Sequence, residues 1–230
     1  MAHACVIASS FLVGLSRKAN SERREASGNF EPRCESRHDS TAVVVPTIET
    51  ARLTLRSWRA SDLNPYSRLV ADPEVMRHLF AFPGPLDRDQ AREDVARIEG
   101  HWRQHGFGHW AVELKAARTL IGRIGLLHHP DWPEDADDVE VGWVLDRGFW
   151  GRGLATEGGI AAIRYGFAEL GLPRIISFTS PSNVASRRVM EKVGLAFARE
   201  TEWRGEQVVW YAGERATWEV PLGEGASTGC

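Results

Sequence analysis

Apolar positions along the chain alternate in some stretches and recur at helical spacing in others, and the order of those stretches predicts the architecture. "RLTLRSW" puts Leu53 and Leu55, with Trp58 beyond them, on one face and marks a first strand. Ser61 stands where it would cap a short helix, and Asp72 with Pro73 restarts one in "ADPEVMRHL", so a two-piece helix is expected between 61 and 79. Asp87 followed by Gln90 spells a capping box ahead of Ala91, Val95, Ile98 and Trp102, a helical run that Gly106 ends. "HWAVELK", "TLIGRIGLL" and "DVEVGWVL" then read as three strands joined by short turns and the acidic loop "HHPDWPEDADD", which predicts an antiparallel meander. A helix over 153–170, stopped by Gly171 and Pro173, leads into the branched strand "RIISFTS". Asn183 is a strong N-cap for "VASRRVMEKV", and "LAFARETEW" with "QVVWYAGE" closes the chain as a hairpin around Arg204 and Gly205. The order β α α β β β α β α β β is that of an α/β protein. Its strand, helix, strand passage implies a right-handed crossover and a parallel pair.

Composition narrows the picture. With 43% hydrophobic and 26% charged residues in 230, the chain has material for one sizeable core. Residues 48–222 are expected to form it. The polar stretch "SRKANSERREASGNFEPRCESRHDSTA" makes 1–47 read as a disordered extension, and 223–230 as a flexible tail. A net charge of -3 and a pI near 6.3 give no overall electrostatic case for nucleic acid or an anionic membrane. Cys5, Cys34 and Cys230 are scattered and odd in number, which speaks against both a disulfide framework and a zinc site. The apolar run at 4–15 lacks a basic flank and is too short to span a bilayer, so a cytoplasmic protein is expected. His128 and His129, beside Asp131, Glu134, Asp135, Asp137 and Asp138, resemble metal ligands only in composition, because adjacent histidines diverge. They are read as a solvated loop whose negative charge attracts cations, and no metal is expected. The tryptophans fall at core spacing, and His109 either lines a pocket or makes a local hydrogen bond.

The chemistry is concentrated in "DRGFWGRGLATEG", with glycines at 148, 151 and 153 between a strand and a helix. A nucleotide-hydrolysing loop is excluded because Leu154 and Ala155 stand where lysine and a hydroxyl belong. A dinucleotide fingerprint fails as well, since Thr156 replaces its third glycine and no acidic residue follows at the ribose position. What remains is the physics those loops share: backbone N–H groups at the positive end of a helix, offered to a phosphate or pyrophosphate.

"EVGWVLDRGFWGRGLATEG" resembles the acetyl-CoA signature of the GNAT superfamily of N-acetyltransferases, with Trp150, Gly151, Arg152, Gly153, Leu154 and Ala155 filling its turn. Trp at the first position, with "ATE" after the turn, is similar to the RimJ/RimL-like branch. "RLTLRSWRASDL", "DPEVMRHL", "TLIGRIGL" and "NVASRRVMEKVGL" extend the likeness from about 50 to 220. The resemblance implies a mixed, mostly antiparallel twisted sheet flanked by helices, with the crossover at the acetyl-CoA site. It implies that Val144 and Leu145 offer free backbone groups to the pantetheine arm, that the amides from Gly151 to Thr156 cradle the pyrophosphate, and that Arg152 adds charge. Asn183 is expected to cap its helix, to bind the coenzyme, or both. The partners implied are acetyl-CoA and an amine, either a protein N-terminus or a small molecule, in a homodimer or a monomer. A non-catalytic acyl-CoA-binding module is the alternative. The attacking amine must be neutral: an α-amine of pKa about 8 needs roughly 1.4 kcal/mol for this at pH 7, a lysine of about 10.4 roughly 4.6. Glu140 is the expected base. The family's usual acid, a tyrosine, is missing from "SRRVMEKVG", and Ser186, one turn before Met190, is the substitute.

Overall fold

The computed structural model describes residues 43–79 and 84–219. Two short strands, β1 (Ile48–Glu49) and β2 (Leu53–Arg56), precede α1 (Leu63–Val70), α2 (Pro73–Met76) and α3 (Arg88–His105). The meander β3 (His109–Leu114), β4 (Thr119–His128) and β5 (Val139–Leu145) leads to α4 (Leu154–Ala168), β6 (Arg174–Thr179), α5 (Val184–Lys192), β7 (Ala196–Trp203) and β8 (Glu206–Glu214). The expected order holds, with β1 added; two residues are too few to carry a periodicity. The apolar run at 4–15, most of the expected extension, the three cysteines and the tail at 223–230 lie outside the described residues.

All eight strands form one sheet in the order β1-β2-β3-β4-β5-β6-β8-β7. Every pairing is antiparallel except β5 with β6, where the α4 crossover imposes a parallel junction. The sheet is covered on both faces. Ile124 and Trp143 point to α4, their side chains lying under Gly158 and Gly159. Arg123, one residue from Ile124, therefore points the other way, to Tyr66 of α1 and Asp94 of α3. A second cluster of Trp132, Ile176, Phe178, Trp203, Val208 and Trp210 lies under the loop that joins β4 to β5.

Caps explain where the helices begin. The Asp87 carboxylate accepts from the N–H groups of Asp89 and Gln90 at 2.9 Å, and Gln90 Oε1 accepts from Asp87 N–H at 2.8 Å, so the capping box of α3 is as expected. Gly106 ends that helix at φ +74°. Ser61 is a correction: it is exposed, and Asp62 does the capping. The Asp62 carboxylate accepts from Arg59 N–H at 2.8 Å and from the Arg56 guanidinium at 2.7 and 2.9 Å, a buried fork that also anchors α1 to β2.

Candidate active site

β5 and β6 pair only at Val139 with Ile175 and Glu140 with Ile176. Past that rung β5 stays with β4 as far as Leu145, and β6 stays with β8 as far as Thr179, so the two strands part and β5 keeps an open edge. Alternation decides which of its backbone groups face the gap. Asp146 N–H donates to Ile121 of β4, so Val144, two residues earlier, also faces β4, while Val141, Trp143 and Leu145 face β6. The expectation for Val144 is therefore corrected to Trp143. Leu145 faces the gap, but its carbonyl already accepts from Trp150 Nε1 at 2.8 Å, leaving its N–H. Val141 carbonyl is likewise taken, by Ser177 Oγ at 2.8 Å.

The turn after β5 is built to end in exposed amides. Asp146 accepts from Gly148 N–H at 2.8 Å, a single 3-10 turn over Arg147–Phe149 follows, and Trp150 folds back into the core. Gly151 and Gly153 then take φ +72° and +73°, a region that costs an L-residue roughly 1–2 kcal/mol. A Cβ at Gly151 would meet nothing within 4 Å, so this glycine is required by backbone conformation and not by crowding from the protein. Gly153 stands at the start of α4 with no side-chain cap, and the first-turn N–H groups of Leu154, Ala155 and Thr156 have no preceding helical carbonyls to bond. The Leu154 and Ala155 side chains are buried, so these residues offer only backbone. Arg152 is exposed, its guanidinium 5.5 Å above the Phe149 ring.

Glu140 sits on the last paired rung before the gap and is fully buried. Its Oε2 accepts from His129 Nε2 at 2.7 Å. This corrects the solvated-loop reading of "HHPDWPEDADD": His129 is 1% exposed, enclosed by the rings of Phe178 and Trp203, and Trp132 stacks on Phe178 at 4.9 Å. The loop's charge is largely matched as well. Arg204 pairs with Asp131, Arg199 with Glu134, and Arg174 with both Asp135 and Asp138, which leaves little field to attract a cation. Among the described residues no group of three or more His, Cys, Asp or Glu side chains could hold a metal ion.

A buried polar chain lies on the same face of the sheet as Glu140. Tyr66 donates to Asp94, Asp94 pairs with Arg123, and Arg123 donates to His109 Nδ1. Burial opposes the Arg123 charge, but Tyr66, Asp94 and Glu140 together outweigh it and hold the guanidinium above its usual pKa. Burial, and then Arg123, push His109 well below the usual histidine value, so it is neutral. Of the two readings left open for His109, the local hydrogen bond is the one observed.

Ser186 is wholly buried on α5, beside Met190, and its Oγ has no hydrogen-bond partner among the described residues. Asn183 caps α5 through Oδ1 to Ser186 N–H at 3.2 Å, and its Nδ2 donates to Thr179 Oγ1 at 3.0 Å. His78, which follows α2, reaches Ser180 at the far end of β6 through a 3.0 Å contact from Nδ1. His129 and His78 were not anticipated as site residues: His129 has no periodic or motif signal, and "DPEVMRHL", which contains His78, gives that residue no role of its own.

A mostly antiparallel sheet that parts at its one parallel junction, with an uncapped helix N-terminus opening beside the gap, is the architecture of an acetyltransferase. Comparison with known proteins agrees. The family model described as an acetyltransferase (GNAT) domain matches residues 52–196. The FsC-acetyl coenzyme A-N(2)-transacetylase of Aspergillus fumigatus is 35% identical over 159 residues, 65% of either chain. The uncharacterized N-acetyltransferase YnaD of Bacillus subtilis is 30% identical over 148 residues, 64% of this chain and 81% of its own length. An acetyltransferase structure from Agrobacterium tumefaciens superimposes with a TM-score of 0.64 at 30% identity, covering 74% of this chain and 95% of the other. The chain belongs to the GNAT family of acetyltransferases, whose members use acetyl-CoA as donor.

Proposed function

We propose that this chain transfers the acetyl group of acetyl-CoA to a primary amine by direct attack. The observation that carries the proposal is the position of Glu140: a buried carboxylate, oriented by His129, on the rung where β5 and β6 part, one residue from the open strand edge. In the reaction an ammonium proton of the acceptor passes to Glu140, the neutral nitrogen attacks the thioester carbonyl, and the tetrahedral intermediate expels the coenzyme thiolate, which takes up the second proton that the nitrogen loses as the amide forms. Ser186 Oγ hydrogen-bonds the departing sulfur in this reading, which its burial on α5 without another partner among the described residues supports. A thiol of pKa about 8.5 is a tolerable leaving group, so this donor assists a step that is feasible without it.

Leu145 N–H and the Trp143 backbone extend a strand-like ladder to the pantetheine arm, and the amides from Gly151 to Thr156 take the pyrophosphate, with Arg152 at its edge. Asn183 acts on the coenzyme through the α5 cap. The acceptor is a small-molecule amine, a reading supported by the Aspergillus relative, whose name places the acetyl group on N(2) of FsC. Thiol release from acetyl-CoA, measured against polyamines, aminoglycosides and N-terminal peptides, tests this. Release with at least one small amine is expected; no release with any of them, alongside tight coenzyme binding, would show a binding module instead.

A further inference from the structure

The turn that offers amides to the coenzyme is held from outside by a residue of β2's approach. Arg52 Nη1 donates to the carbonyl of Arg152 at 2.8 Å, inside the turn. Its Nε donates to Glu157 Oε2 at 2.6 Å and its backbone N–H to Glu157 Oε1 at 2.7 Å, while Thr50 Oγ1 adds a 2.6 Å bond to the same oxygen. Glu157 lies in the first turn of α4. Burial raises its pKa, but the bonds from Thr50 and Arg52 outweigh burial and hold the carboxyl below its usual range.

Two consequences follow from elementary geometry and electrostatics. The peptide between Arg152 and Gly153 is trans, so its C=O and N–H point in opposite directions. With the carbonyl drawn to Arg52, the Gly153 N–H is turned away from it, to the opposite side of the turn. Were this peptide to flip, which the left-handed glycine at its C-terminal side, Gly153, makes easy, a carbonyl oxygen would replace that donor and repel an anion. Second, a carboxylate in the first turn of α4 would oppose any phosphate at that helix end, and the guanidinium paired with Glu157 offsets the charge.

We propose that Arg52 is a positioning residue for the coenzyme: by gripping the Arg152 carbonyl and Glu157 it fixes the peptide orientation that turns N–H groups, and not a carbonyl, to the pyrophosphate. The inference rests on the acetyl-CoA reading above. Arg52 itself touches no reacting atom, so its effect belongs in donor affinity and is specific to donors that carry a pyrophosphate.

Arg52→Met and Arg52→Lys, compared with acetyl-CoA and with S-acetylpantetheine, which lacks the pyrophosphate, test it. For Arg52→Met the KM for acetyl-CoA is expected to rise about tenfold, the loss of one charged hydrogen-bond network, with kcat within about twofold. Turnover of S-acetylpantetheine should change less than twofold, and Arg52→Lys, which keeps the charge but not the fork, should recover part of the loss. Equal losses with both donors, or none with either, would overturn the proposal. If Arg52→Met does not fold, Arg52→Lys carries the test: a smaller but still donor-selective rise in KM is expected, and a donor-independent loss there would equally overturn the proposal. Calorimetry of coenzyme A with the unmodified protein separates the two levels: no binding would remove the acetyl-CoA reading itself, whereas binding that Arg52→Met leaves unchanged removes only the role of Arg52.

Discussion

Glu140 shows what a single residue gains from its neighbours. A carboxylate with no access to solvent needs a partner, and His129 supplies one from eleven positions upstream, across the loop between β4 and β5. The pair fixes the carboxylate's orientation on the rung where the strands separate. Replacing Glu140 by Gln keeps the shape and removes the proposed base; kcat is expected to fall about 100-fold or more while the KM for acetyl-CoA stays within about twofold. Steady-state thiol release measures both, and a kcat within a few-fold of the parent would remove Glu140 from the mechanism. Glu140 was legible in the sequence because it lies on a strand, two residues before Gly142, in a stretch that resembles the family. His129 was not, because the signal around it was composition: five acids and two prolines after two histidines look like a solvated loop. What that reading lacked was the set of arginines, Arg174, Arg199 and Arg204, that arrive from distant strands to match those charges. Val144 illustrates a finer limit. Which backbone groups of a strand face a gap depends on ladder parity, and parity is set by the register with β4, which no local pattern encodes.

At the scale of elements, helix and strand identities followed from periodicity and caps, and the capping box of Asp87 and Gln90 placed α3 at its true start. Ser61 was misread because a helix N-terminus so close to a strand can borrow a better cap from its surroundings: Asp62 is held by Arg56 of β2, a partner outside the local window. The junction of α3 with the end of β4 carries a pH response of its own. His101 Nδ1 donates to the Phe107 carbonyl at 2.7 Å, and its Nε2 accepts from His128 N–H at 3.1 Å, an arrangement that requires neutral imidazole. Burial first, against the opposing bond to Phe107, lowers its pKa to about 4. The unfolded chain, with histidine near 6.5, therefore binds more protons than the folded one between these values. Stability is full above about pH 6.5 and is lost as pH falls toward 4, by about 3 kcal/mol from this residue. Urea unfolding at pH 7, 5.5 and 4.5 should show a steeper acid loss for the unmodified protein than for His101→Gln; parallel curves would contradict the assignment. Because His128 N–H is one end of this bond, the same protonation loosens the backbone that carries His129 to Glu140.

For the whole molecule, the division of labour follows the two faces and one seam of the sheet. One face meets α4 through Ile124 and Trp143, the other holds the Tyr66, Asp94, Arg123 and His109 chain, and the seam between β5 and β6 is the only parallel junction among the described residues. That seam exists because α4 must cross over, so the turn that begins the crossover and the gap it creates are products of one connection. This is why the glycine turn was so informative in the sequence: it marks at once the strand end, the helix start and the place where strands part. The structure gives the reason for the glycines, which satisfy left-handed backbone angles at 151 and 153, and the conclusion about amides stands on that geometry.

A crystal structure with coenzyme A bound tests the central claim most directly. The diphosphate oxygens are predicted within about 3.2 Å of backbone nitrogens between Gly151 and Thr156, with the pantetheine arm running along β5 toward Glu140. A diphosphate seated anywhere else on the protein, with those amides still facing solvent, would contradict the account.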